Sequence, residues 1–151
     1  MRISNGVNKD FVKMKISLIG EEMERLKEFS GFSFQEIVTN FIRQATVKRL
    51  LERIINRAID INQHLIGELL PEEMQSPKSY KETFLKLAEL GVYPKEFAES
   101  IAKSAGTRNI LVHDYNNVDY SKIYSSVSDC LKDYHQYCDY ILLFISEKIP
   151  K

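Results

Sequence analysis

Apolar residues recur along most of this chain at the three-to-four-residue spacing of helices that bury one face. The first segment is ambiguous. Val12 to Leu18 alternates apolar and polar like a strand, yet Phe11, Met14 or Lys15, Leu18, Glu22, Leu26 and Phe29 track a helical face. The helix-favouring run "EEMERLKEF" decides for one helix over 9–30, stopped by Gly31. Ser33 and Glu36 have capping-box spacing and open a long second helix. Ile37, Phe41, Ala45, Leu51, Ile54, Ala58, Ile61, Leu65 and Leu69 carry its stripe, and Pro71 closes it. After a proline-punctuated loop, Ser79 and Glu82 make a second capping pair for a helix that ends at Gly91. Pro94 suits the first turn of a fourth helix, carried by Phe97, Ile101, Ser104 or Ala105, and Arg108, with Gly106 as its weak point. "DYNNVD" breaks that helix, and Asp119 caps a fifth from Tyr120 to about Glu147, striped by Ile123, Val127, Leu131, Tyr134, Cys138, Ile141 or Leu142, and Ile145. The pattern predicts an all-α, up-and-down bundle of four to five helices.

A length of 151 residues suits one domain with a real core, spanning 1–151 with about 9–147 structured. Its 21 basic and 21 acidic residues cancel, so nothing in the net charge demands nucleic acid, although a local basic patch remains open. Cys130 and Cys138 are the two cysteines, about 12 Å apart if they share one helix, which is too far to bridge. Reduced thiols, no signal-peptide core at the start and no apolar run of membrane-spanning length lead us to expect a cytoplasmic protein without membrane contact.

The chain has three histidines, His64, His113 and His135. His64 and His135 read as surface or boundary imidazoles on amphipathic helices. No metal-binding spacing appears, so neither metal nor cofactor is expected. His113 stands in "RNILVHDYNN", after Arg108 and before Tyr115. On a continuous helix Arg108 and His113 would lie about 140° apart. Either the helix unwinds after Val112 or the two meet across a symmetry axis. The plainer explanation of these residues is a basic helix end complementing the macrodipole, with Asn116 and Asn117 as turn formers. Residues and spacing alone leave that explanation and catalysis equally open.

"RNILVHDY" matches the motif of Arg, four residues, His, one residue, Tyr that marks the HEPN superfamily. "QATVKRLLERIINRAIDINQHLI" resembles the long second helix of the HepT-like branch, and "VDYSKIYSSVSDCLKDYHQYCDYI" resembles its closing helix. The chain is therefore identified as similar to HepT-like HEPN toxins over roughly residues 9–147.

The resemblance implies a homodimeric, metal-independent endoribonuclease, the toxin of a toxin–antitoxin pair, with one composite cleft on the two-fold axis. It implies catalytic roles for Arg108 and His113. It makes Tyr115 the target of AMPylation by an MntA-like minimal nucleotidyltransferase antitoxin, and RNA (tRNA or mRNA) the substrate. The residue types suit that chemistry: histidine carries protons near neutral pH, and arginine offers a permanent planar cation to a phosphorane. Asn109 is assigned a supporting role beside Arg108, and Tyr115 could also bond the phosphate or 2′-OH. Arg49, Arg53 and Arg57, every fourth residue of the second helix, could track RNA backbone, although a solvated face paired with Glu52 and Asp60 explains them as well. The tyrosines of the last helix could stack bases, although packing is the simpler role. The competing functional reading is a non-catalytic helical module that binds a nucleotide or a partner and supports a nucleotidyltransferase. A third is a purely structural helical dimer.

Overall fold

The computed structural model describes residues 6–112 and 120–150. Six helices follow in order: α1 (Lys9–Lys27), α2 (Phe34–Val38), α3 (Phe41–Leu69), α4 (Tyr80–Glu89), α5 (Lys95–Val112) and α6 (Tyr120–Glu147). The fold is all-α, as the pattern required.

Three boundaries differ from the sequence expectation, each for a local reason. The first helix ends at Lys27, with Glu28 as its C-cap and a series of turns reaching Phe32, so Gly31 lies beyond the stop. The expected long second helix is two helices. Asn40 leaves the helical region at φ −114°, ψ 109°, and its side chain accepts the amide of Arg43, which caps α3 afresh. An Asx cap thus competes with continuation and wins, giving six helices among the described residues instead of four or five. The Ser33–Glu36 capping box is complete. At α4, Ser79 accepts the Glu82 amide, but the Glu82 carboxylate takes the amide of Lys78, so only half of the second box forms. Pro94 is the residue before α5 rather than its first turn, and its carbonyl accepts the Ala98 amide. The expected cap Asp119 lies outside the described residues.

The α1 stripe is also rotated from the expected one. Val12, Ile16, Ile19 and Leu26 are buried and Met14 is exposed, because α1 packs antiparallel along α3. Polar contacts set this register: the Asn8 amide donates to His64, Lys15 pairs with Asp60 at 2.8 Å, and Glu22 meets Arg57 at 2.8 Å. On α3 the buried face runs from Val47 through Leu50, Leu51, Ile54, Ile55 and Ala58 to Leu65, whereas Phe41 at the new helix start is 79% exposed. α6 keeps its expected stripe of Ile123, Val127, Tyr134, Cys138, Ile141 and Ile145, to which the structure adds Cys130 and Tyr137. The buried cluster draws on all six helices. Each large side chain in it contributes on the order of 1.5–3 kcal/mol.

The tyrosines are part of this frame. Tyr134 and Tyr137 are fully buried. Tyr137 stacks edge-on against Phe84 and Tyr93, and its hydroxyl donates toward Asn62 Oδ1 and the Ala58 carbonyl. Asn62 in turn donates to Thr83 Oγ1 at 3.1 Å, tying α3, α4 and α6 together through polar atoms inside the core. Tyr93 donates to the Phe84 carbonyl, and the Tyr134 hydroxyl lies 2.8 Å from Ser104 Oγ. Buried rings of this kind have no face to offer a base.

Candidate functional site

Arg108 lies on α5 about one turn before Val112, where the described part of the helix ends. Two other helices hold its side chain. Its Nε donates to Asn56 Oδ1 of α3, and its guanidinium lies 4.7 Å from the ring centroid of Tyr80 at the start of α4. The guanidinium is thus fixed on one edge by a hydrogen bond and on one face by an aromatic ring. Sequence reasoning missed both partners, since an asparagine in an amphipathic helix and a tyrosine after an N-cap carry no mark of a site.

Asn109 is exposed and borders a groove of about 610 Å³ between α3, α4 and α5. Tyr80 also lines that groove, so it adjoins the Arg108 clamp directly. His113, Asp114, Tyr115, Asn116 and Asn117 lie outside the described residues.

The arginine row on α3 is divided. Arg57 donates through Nε and Nη2 to Glu22 Oε1, and Arg53 Nη1 lies 3.8 Å from the same oxygen. Glu22 is buried, with 2% of its surface exposed. A carboxylate so far from water needs cations, and these two arginines supply them. Arg49 pairs with Glu52 at 3.2 Å on the surface. Asp60, once considered a partner for this row, is held by Lys15 instead. Arg57 therefore serves α1–α3 packing, while Arg49 and Arg53 stay outward, their side chains 60% and 44% exposed. The clue lay in the sequence: Glu22 sits in the apolar stripe of α1.

The other histidines take structural positions. His64 Nε2 accepts the Asn8 amide at 2.9 Å while its ring packs 5.2 Å from Phe11. His135 is exposed, 3.9 Å from Asp139. Both cysteines are free and buried, and burial pushes the thiols up, Cys138 to about 12. Among the described residues no helix is long and apolar enough to cross a membrane.

An all-α bundle whose motif arginine is clamped near the end of one helix, with the motif histidine and tyrosine following in sequence, defines a HEPN-type protein. More narrowly, the chain belongs to the ribonuclease HepT-like family, whose model matches residues 5–141. A tRNA nuclease HepT from Aphanizomenon flos-aquae is 34% identical over 128 residues, 83% of this chain and 84% of the relative. An mRNA nuclease HepT from Shewanella oneidensis is 27% identical over 132 residues, 87% of this chain and 96% of the relative. Among solved structures, the tri-AMPylated HEPN toxin of Shewanella oneidensis in complex with its MNT antitoxin superposes with a TM-score of 0.76 at 27% identity, covering 89% of this chain and 98% of that one.

Proposed function

We propose that this chain is a HepT-type toxin: a metal-independent endoribonuclease acting as a homodimer in the cytoplasm, silenced when a nucleotidyltransferase antitoxin of the MntA kind AMPylates Tyr115. The observation that carries this reading is the clamp on Arg108, which holds a permanent cation at the helix end that leads into His113 and Tyr115. Family membership and the tri-AMPylated relative support it.

The chemistry follows from the residue types. The 2′-oxygen of the RNA attacks the adjacent phosphorus as the P–O5′ bond breaks, leaving a 2′,3′-cyclic phosphate and a 5′-hydroxyl. His113 of one protomer takes the 2′ proton, and the partner protomer's copy of the same histidine protonates the departing 5′ oxygen. Arg108 stabilises charge on the equatorial oxygens of the phosphorane. Asn109 supports by orienting the phosphate. This division of labour also resolves the poor helical phase between Arg108 and His113, because the two need not act from one helix face. For silencing, the Tyr115 phenol oxygen attacks the α-phosphorus of ATP and pyrophosphate leaves. The added AMP brings bulk and negative charge into the cleft and repels RNA.

Expression of the chain alone is expected to arrest growth, and Arg108→Ala or His113→Ala to relieve the arrest. Co-expression with a cognate nucleotidyltransferase should add one or more AMP units to the intact mass, all lost in Tyr115→Phe. Arrest by both motif variants, or AMP retained in Tyr115→Phe, would contradict the assignment.

A further inference from the structure

The groove beside the Arg108 clamp has a composition that packing does not explain. Lys78 and Lys81 line it with Gln63, Asn109 and the 40%-exposed ring of Tyr80, and no Asp or Glu lines it among the described residues. In a chain with equal numbers of acidic and basic residues, that wall is one-signed. Two helical glycines, Gly67 of α3 and Gly106 of α5, also line it, beside the apolar Ile66, Pro77 and Ala105. A Cβ at either would meet nothing within 4 Å, so neither is kept small by a close approach of backbone or side chain. Glycine inside a helix costs about 1 kcal/mol relative to alanine, and here its effect is to leave space in the groove.

Cations, an amide and an aromatic ring around an open floor fit a nucleotide: phosphate for the lysines, a base edge for Gln63, a ring face for Tyr80. The volume of about 610 Å³ suits a ligand of that size. Because Tyr80 both lines the groove and stacks on Arg108, anything seated there is one aromatic ring away from that guanidinium.

We infer that this groove is an RNA subsite that seats the nucleotide flanking the cleaved bond, a deduction that places the site relative to the chemistry only if Arg108 is catalytic as proposed above. Unmodified full-length protein would be titrated with a labelled 2′-O-methyl RNA oligonucleotide, which binds without being cleaved, and assayed in parallel with the cleavable RNA. The double variant Lys78→Ala/Lys81→Ala should weaken binding and raise KM about tenfold with kcat little changed. It should also reduce the slope of log affinity against log salt by about 1.4, two contacts on a single strand. Gly67→Leu, which fills the groove with a better helix former, should raise KM similarly. Wild-type binding and KM in both variants would overturn the subsite even if Arg108→Ala abolishes cleavage. Weakened binding in both variants, with no cleavage by the wild type, would instead sink the nuclease reading and leave the groove an RNA site. Free AMP competing as well as the oligonucleotide would make it a mononucleotide pocket and would also overturn the inference.

Discussion

Arg108 is held from both sides by residues far from it in sequence. Asn56 supplies the acceptor for Nε, and that bond fixes which way the guanidinium plane faces. Asn56→Ala should lower kcat for RNA cleavage about tenfold, equivalent to roughly 1.4 kcal/mol of transition-state stabilisation, with KM and melting temperature nearly unchanged. Asn56→Asp, which keeps an acceptor, should recover most of the loss. A similar loss in both variants, or a fall in melting temperature that tracks the activity, would mean that Asn56 acts on the fold rather than on Arg108. The motif itself could be read from sequence because its spacing is local. Its two supports could not, since α3, α4 and α5 bring them together only in the folded bundle.

Between helices, the polar contacts inside the core set the packing. Tyr137 of α6 satisfies Asn62 of α3, which in turn holds Thr83 of α4. Tyr137→Phe keeps the ring and removes the donor, leaving a buried amide oxygen short of a partner. We expect a loss of about 1–3 kcal/mol, seen as a lower melting temperature in thermal denaturation. No measurable change would show that the network is not under load. The thiols of α6 test the same packing by another route. Cys138 is pushed up to about 12 from an ordinary 9.0, chiefly by burial and then by Asp139. A buried, protonated thiol is a poor nucleophile, so native protein should resist iodoacetamide at pH 8.5, while denatured protein takes up two labels. Because the folded state holds its thiol protons longer, unfolding above pH 9 releases them, and this contribution to stability should fall as pH rises from about 9 toward 12. Equal labelling rates for folded and denatured protein would contradict the burial.

The helix content of the chain was legible throughout, since apolar periodicity and caps act over a few residues. α6 appears within its expected bounds. The break at Asn40 was harder to see because the apolar residues Phe41 and Ala45 kept the helical count across it. Only the cap geometry shows that Asn40 starts a new helix and that Phe41 faces outward. The arginine row misled for a related reason: periodicity aligned Arg49, Arg53 and Arg57, but Glu22 arrived from α1 and took two of them.

For the whole molecule, the bundle does two things at once. Its core fixes α5 against α3 and α4, and that placement sets a cation beside an open groove near the end of the helix that carries the motif. The central claim is that Arg108 and His113 cleave RNA, so the most direct measurement is cleavage by purified, unmodified protein without added metal. Wild-type protein should cut RNA in the presence of a chelator and leave 2′,3′-cyclic phosphate ends, while Arg108→Ala and His113→Ala, folded as judged by circular dichroism, should lose at least about a hundredfold in rate. Cleavage by both variants at the wild-type rate would contradict the account.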